Sequence, residues 1–277
     1  MVLDFYLDDL IRNALKEDIN YIDTTADLVI PETQRGSAYF VAKASGVLCG
    51  IDIAMKVFRM LDDSFACTVH FHDGDKLEKG DVICEFTGNM RCLLKGERTA
   101  LNLIQHMSGI ATETARCVEI VRGTRAAITD TRKTLPGLRA IQKYAVTVGG
   151  GKNHRYNLSD GAMLKDNHID ACVGIAGAVA ALRARLGHMV KIEVETRDLN
   201  EVKQALEAGA DIIMLDNMDC PTMKEAVKLV SGKALLEASG GITHDTLREV
   251  AETGVDIISI GALTHSVQAF DISMKIS

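Results

Sequence analysis

The sequence of 277 residues has no tryptophan, three prolines and only 4% aromatic residues. What remains, 47% hydrophobic and 25% charged, is an ordinary globular composition, long enough for one large domain or two unequal ones. No window carries the apolar run that a bilayer crossing requires. The most apolar helical stretch, Ala171 to Leu182, is too short and too rich in alanine and glycine. It reads as a buried helix packed close to a neighbour. Met1 to Asp9 holds three aspartates and no basic residue, so a secretory leader is not expected. The seven cysteines are scattered without a close pair at metal-ligand spacing. An odd, dispersed set in a chain with a large core points to reduced, buried thiols and a cytoplasmic protein.

A surplus of basic charge is also missing. The net charge of −7 argues against general nucleic-acid binding, which needs a basic footprint. That average hides an asymmetry. Between Arg125 and Lys165, eight Lys/Arg face two Asp, a local balance of +6. A basic segment inside an acidic protein suits a small anionic ligand, although a charge run by itself is often only a solvated face.

Two textures divide the chain. The first, residues 1–108, mixes an opening helix (Asp8 to Lys16) with alternating segments, Gly36 to Leu48 and Phe65 to Phe71, that read as antiparallel strands. The turn–strand–turn segment from Gly74 to Ile83 is like that of biotinyl and lipoyl carrier domains, but the modifiable lysine at a hairpin tip is absent, which leaves it as scaffold. His70 and His72 are an i, i+2 pair, readable as metal ligands or as surface residues of an edge strand. A helix from Glu97 to Met107 leads out of this part. In residues 109–266, short apolar strands each precede a helical stretch: Ala126 to Asp130, Gly161 to Leu164, Val190 to Val194, Ile212 to Leu215, Ala234 to Glu237 and Asp256 to Ile260. Glu195, Asp216, Ser239 and Gly261 follow four of them at intervals of 21, 23 and 22 residues. That period suits one parallel βα unit, and six in series indicate an α/β barrel, whose strand ends converge on one pocket.

The last two strands lead into Ser239-Gly240-Gly241 and Gly261-Ala262. Glycines there let backbone N–H groups approach phosphate oxygens, at the usual phosphate position of barrel enzymes; tight turns are the alternative. Glu195 and Asp216, on the two preceding strands, could hold ribose hydroxyls or Mg2+, or stabilise positive charge at a sugar carbon; each could also be a helix N-cap. Glu193 lies on the same side of its strand as Glu195, one layer deeper, where it could buttress a lysine. Arg132, Lys133, His154, Arg155 and Lys165 form a cationic set suited to a ligand with two carboxylates.

Several blocks carry a family resemblance: Leu15-Lys16-Glu17-Asp18, Glu97 to Asn102, Ser108 to Thr112, Asp130-Thr131-Arg132-Lys133-Thr134-Leu135-Pro136-Gly137, Gly149 to Arg155, Lys165-Asp166-Asn167-His168 and Gly261 to Ser266. Over essentially the whole chain the sequence resembles the quinolinate phosphoribosyltransferases. The resemblance implies an N-terminal α/β sandwich domain, joined by the tail 267–277, and an incomplete parallel α/β barrel. It implies transfer of phosphoribosyl from phosphoribosyl pyrophosphate to quinolinate with loss of CO2, in NAD biosynthesis. By the same resemblance Arg132, His154, Arg155 and Lys165 bind quinolinate and Lys133 lies between the substrates. Lys133, Lys165, Glu195 and Asp216 are then the catalytic residues. Glu195 and Asp216 attend ribose and Mg2+, while Ser239, Gly240, Gly241, Gly261 and Ala262 attend the 5′-phosphate. Arg98 completes the site of the neighbouring subunit in a homodimer. Thr147 is a departure from the family pattern, and Lys-Asp-Asn-His separates the chain from a molybdenum-associated paralogue. A phosphoribosyltransferase acting on another aromatic acid, and a metabolite-binding protein without catalysis, are the competing expectations.

Overall fold

Four of the seven phenylalanines converge on one cluster. Phe40 meets Phe86 edge-on at 5.2 Å between ring centroids, and Phe58 stacks on Phe86 at 5.0 Å and on Phe65 at 5.3 Å. Each such pair adds about 0.5–1.5 kcal/mol beyond the area it buries, so a chain poor in aromatics gains most by concentrating them in one core.

The computed structural model describes Val2 and residues 4–172 and 174–277, folded as two units. The first takes the chain up to Ala115, Thr134–Gly150 and Thr264–Ser277. It contains α1 (Asp4–Ile19), α2 (Ala26–Val29), β1 (Arg35–Ala42), β2 (Gly46–Val47), α3 (Ile51–Leu61), β3 (Ala66–Val69), β4 (Lys76–Leu77) and β5 (Val82–Asn89). Most of α4 (Met90–Ile120) also belongs here, as do α5 (Arg139–Val148) and β12 (Ile272–Ile276). Its main sheet runs β12-β1-β5-β3 and is antiparallel throughout. The tail is the outer strand on β1, with Ala42 opposite Ile272 and Ala38 opposite Ile276. Phe40 and Phe86 project from the sheet onto Phe58 of α3. Asp73 fastens that helix at its start, its Oδ1 accepting the N–H groups of Gly50 (2.8 Å) and Ile51 (3.1 Å).

The exit helix is far longer than the Glu97–Met107 stretch expected: α4 has 31 residues and passes through Gly109 unbroken. The glycine belongs there for close approach rather than for a turn, since a Cβ would lie 2.2 Å from the carbonyl oxygen of Gln268. Ser108 and Thr112 on either side accept the N–H groups of Cys49 and Val47, both at 2.9 Å. The opening helix likewise extends beyond Asp8–Lys16, and the Gly36–Leu48 stretch is two strands with a break after Ala42. His70 directly follows edge strand β3 and pairs with Glu85 at 3.5 Å; among the described residues it belongs to no group of potential metal ligands.

The second unit, Arg116–Lys133 and Gly151–Leu263, carries the repeating part. Its strands are β6 (Ala127–Thr129), β7 (Ala162–Leu164), β8 (Ile192–Thr196), β9 (Ile212–Asp216), β10 (Leu235–Ser239) and β11 (Ile257–Ser259). Its helices are α6 (Asp166–Asp170), α7 (Gly174–Arg183), α8 (Leu199–Glu207), α9 (Cys220–Val230) and α10 (His244–Ala251), with α11 (Ala262–His265) closing the series. The six strands are parallel in the order β6-β11-β10-β9-β8-β7, and β6 and β7 are not paired, so the barrel is incomplete as expected. The apolar stretch Ala171–Leu182 is not the buried helix expected from composition; its residue 173 lies outside the described residues. In α7 only Ile175, Ala178 and Val179 are buried. Alanine and glycine raise the mean hydropathy of a segment without requiring burial, because each has little apolar surface to hide. No helix among the described residues is long and apolar enough to cross a membrane. All seven cysteines are free; Cys49, Cys84 and Cys117 are buried and Cys172 is exposed.

Candidate active site

Strand register divides the barrel sheet into two chemically different faces. Glu193 pairs with Met163 and Ile212, Glu195 and Glu237 with Met214, and Asp216 with Ser239. Residues paired side by side share a face, as do alternate residues along a strand. Glu193, Glu195, Asp216, Glu237 and Ser239 therefore project together. The opposite face presents Ile192, Val194, Ile213, Leu215, Leu236, Ala238 and Ile258, each no more than 3% exposed. One face is spent on the apolar core, and the other carries the chemistry.

Glu195 and Asp216 are not helix caps. That duty falls to Asp198, which accepts the N–H of Glu201 at 2.9 Å, and to Asp219, which accepts that of Thr222 at 2.9 Å. Glu195 instead receives Lys165 Nζ at 2.8 Å on Oε2. The backbone of Lys165 is extended and its N–H donates to His168 Nδ1 at 3.1 Å, so the histidine of the Lys-Asp-Asn-His block aligns the lysine. Asp166 Oδ1 accepts the N–H of Asn167, at 2.6 Å. Asp216 receives Asn217 Nδ2 at 2.9 Å, while the Asn217 N–H donates to Ser239 O at 2.9 Å. The loop after β9 is thereby interlocked with the loop after β10. Gly240 (φ +96°) has no room for a side chain, since a Cβ would lie 2.2 Å from Asn217 Oδ1. Gly241 (φ +58°) faces open space.

His154 is held on every side. Its N–H donates to Asp130 Oδ1 at 2.8 Å, and Nδ1 accepts the N–H of Arg155 at 2.7 Å. Nε2 lies 3.2 Å from Glu193 Oε2 and 3.5 Å from Glu237 Oε1. Burial disfavours charge on the ring, but hydrogen bonds and charge from the two glutamates outweigh it and raise its pKa to about 10. Burial raises the Glu193 carboxyl; the hydrogen bond from His154 opposes this and the charge of Glu237 adds to it, leaving it above its ordinary value. Glu193 thus serves a histidine and not the lysine expected. A ring charged in this way needs a proton on Nδ1, which releases the Arg155 amide and makes Nδ1 a donor.

Arg155 Nη1 donates to Gly161 O at 3.0 Å and Nη2 approaches Met163 Sδ at 3.6 Å. Burial and the charge of Arg132 lower its pKa, with Glu193 opposing. Lys133 is exposed, its N–H donating to Thr131 Oγ1 at 3.0 Å. Gly261 and Ala262 follow β11, beside the loop that carries Gly240. Arg98 belongs to the first unit, exposed on α4. Thr147 is exposed on α5 and donates to Tyr144 O at 2.6 Å. A cavity of about 380 Å³ lined by Thr129, His154, Arg155, Glu193 and Glu237 opens past the first residues of β7, β9 and β11, at the opposite strand ends from Glu195, Asp216 and Ser239. Glu237 was missed in the sequence, although it stands to Ser239 as Glu193 stands to Glu195.

The comparisons agree over the full chain. The family described as quinolinate phosphoribosyl transferase matches through its N-terminal domain at residues 23–108 and its C-terminal domain at residues 110–275. A probable nicotinate-nucleotide pyrophosphorylase [carboxylating] of Bacillus subtilis (strain 168) is 46% identical over 271 residues, 98% of this chain and 93% of that protein. One from Methanocaldococcus jannaschii is 41% identical over 285 residues, covering 100% and 99% of the two chains. The crystal structure of NadC from Streptococcus pyogenes superposes with a TM-score of 0.97 at 41% identity, over 100% of this chain and 98% of that one. With its two-domain match, its incomplete barrel and its cationic segment facing carboxylates, the chain belongs to the quinolinate phosphoribosyltransferase family.

Proposed function

We propose that this chain joins quinolinate to phosphoribosyl pyrophosphate, with Arg132, His154, Arg155 and Lys165 holding quinolinate. Ser239, Gly240, Gly241, Gly261 and Ala262 hold the 5′-phosphate. The products are nicotinate mononucleotide, pyrophosphate and CO2, the decarboxylating step of de novo NAD synthesis. The supporting observation is the strand register that sets Glu195, Asp216 and Ser239 on one face at neighbouring strand ends, with Lys165 Nζ 2.8 Å from Glu195 Oε2.

Quinolinate held by its carboxylates presents its ring nitrogen to the anomeric carbon, and this positioning provides much of the rate. Lys133 faces the departing pyrophosphate. As the C–O bond breaks, Glu195 and Asp216 stabilise the positive charge on the sugar. The Lys165–Glu195 contact couples the quinolinate cation set to that carboxylate. Once the ring nitrogen is quaternised, the C2–carboxylate bond breaks to CO2, its electron pair stabilised by the ring cation, and C2 takes a proton from solvent. Glu195 and Asp216, oxygen donors on neighbouring strands, fit Mg2+, which supplies charge neutralisation for pyrophosphate when bound. Arg98, exposed on α4, is assigned to the site of a second copy in a homodimer. Seven free cysteines suit a reducing compartment, the cytoplasm.

Lys133→Ala and Arg155→Ala should each lower turnover about 100-fold or more, as loss of substrate positioning does, while circular dichroism is unchanged. Normal turnover in both overturns the assignment.

A further inference from the structure

Among the described residues, three that are not glycine have a left-handed backbone: Asn20, Asn217 and Ser231. Two of them end helices, where that conformation is common. Asn20 follows α1 and its N–H donates to Lys16 O at 3.2 Å; Ser231 caps α9 and donates to Val227 O at 3.0 Å. Asn217, at φ +55°, directly follows strand β9 instead. No helix end explains it, and holding a residue with a Cβ there costs about 1–2 kcal/mol. Asparagine is among the side-chain-bearing residues that tolerate the conformation best, because its amide can hydrogen-bond locally.

The bend lets one side chain serve two loops. The Asn217 N–H donates to Ser239 O at 2.9 Å, which carries the β9–β10 ladder one step past the Asp216–Ser239 pair. Its Nδ2 donates to Asp216 Oδ2, also at 2.9 Å. Its Oδ1 lies against Gly240, so close that a Cβ on that glycine would be 2.2 Å away. The carboxamide is therefore wedged between the Asp216 carboxylate and the Gly240 backbone. Among the described residues, no other side chain hydrogen-bonds that carboxylate.

Both neighbours of the wedge are assigned above to one substrate, Gly240 to the 5′-phosphate and Asp216 to ribose and Mg2+. In phosphoribosyl pyrophosphate the 5′-phosphate and the ribose hydroxyls are tied through one five-membered ring. The carboxylate and the glycine loop must stand at one spacing to hold both, and a carboxylate free to rotate does not keep it. We propose that Asn217 is a positioning residue that fixes the Asp216 carboxylate at one reach from the phosphate loop. This rests on the assignment of Asp216 and of Ser239, Gly240 and Gly241 to phosphoribosyl pyrophosphate. It makes Asn217 a determinant of affinity for that substrate and not for quinolinate.

The test is initial-rate kinetics on Asn217→Gly and Asn217→Asp, beside Asp216→Ala and the double variant of Asp216→Ala with Asn217→Gly. Glycine keeps the left-handed backbone and removes only the carboxamide. Aspartate keeps the shape but sets a second carboxylate against Asp216, where like charges repel. Each Asn217 variant should raise the KM for phosphoribosyl pyrophosphate about 10-fold or more and leave the KM for quinolinate within about twofold, because a misplaced positioning group acts on its own ligand. Adding Asn217→Gly to Asp216→Ala should raise the first KM no more than about twofold further, as groups acting through one another are not additive. An unchanged KM for phosphoribosyl pyrophosphate in either Asn217 variant overturns the proposal. A parallel rise in both KM values, or full additivity in the double variant, does so too. If the glycine variant does not fold, the isosteric aspartate variant decides in the same way. An Asp216→Ala enzyme with wild-type KM for phosphoribosyl pyrophosphate would instead remove the underlying assignment, and the proposal with it.

Discussion

Lys165 Nζ lies 2.8 Å from Glu195 Oε2, joining the end of β7 to the end of the strand beside it. The lysine side chain is 49% exposed and the glutamate 17%. A pair this open contributes about 0–1 kcal/mol to folding. Lys165→Ala should therefore shift the melting temperature by only a few degrees, while kcat/KM for quinolinate falls about 100-fold. Differential scanning calorimetry beside steady-state kinetics checks this; a large loss of stability with modest loss of activity would make the pair structural.

The interlocked loops after β9 and β10 separate two glycines that look equivalent in sequence. Gly240→Ala meets both a left-handed backbone and Asn217 Oδ1, whereas Gly241→Ala meets only the backbone. The left-handed conformation costs a residue with a Cβ about 1–2 kcal/mol. Gly241→Ala should lose about that much in urea unfolding and Gly240→Ala more, and Asn217→Ala should recover part of the difference. Equal losses at the two positions would contradict the interlock.

The folded-state pKa of His154 lies above its ordinary value of 6.5, so its protonation favours the native state. That contribution is fully present below pH 6.5 and is lost as pH rises through about 10. In NMR of histidine-labelled protein, one imidazole should still be charged at about pH 8.5 and should vanish from the spectrum in His154→Gln. His106 moves oppositely: burial lowers its pKa, so it should remain neutral at a pH where exposed rings are charged. Titration of every ring below about pH 7.5 would remove the charged His154.

Asp216→Asn keeps the shape and the Asn217 contact but removes a charge from the carboxylate pair. It should raise the Mg2+ concentration for half-maximal activity by about 10-fold, since charge count tunes affinity at oxygen-donor sites. The KM for quinolinate should stay within about twofold. Mg2+ titration at saturating substrates measures the first quantity, and an unchanged midpoint would exclude Asp216 from metal binding.

The barrel strands were legible because each is a short apolar run ending in a polar residue, repeated at one βα period. Alternation placed Glu193 one layer below Glu195 but could not name its partner. His154 reaches it from the segment between α5 and β7, and sequence spacing carries no information about which loop covers which strand. Glu237 was passed over because the strand reads as Ala234 to Glu237, which makes it a strand-end charge, whereas β10 runs on to Ser239. The length of α4 was hidden by Gly109, whose reason is the chain crossing it at Gln268, a contact 159 positions away. Helix caps at Asp198 and Asp219 were within reach, since each stands three residues before the amide it accepts.

The most direct measurement is mass spectrometry of products from purified protein with Mg2+, phosphoribosyl pyrophosphate and either quinolinate or nicotinate. Quinolinate should give nicotinate mononucleotide with matching pyrophosphate and CO2, and nicotinate should give none. Product from nicotinate with quinolinate inert, or no product from either, would contradict a dicarboxylate site built on Arg132, His154, Arg155 and Lys165.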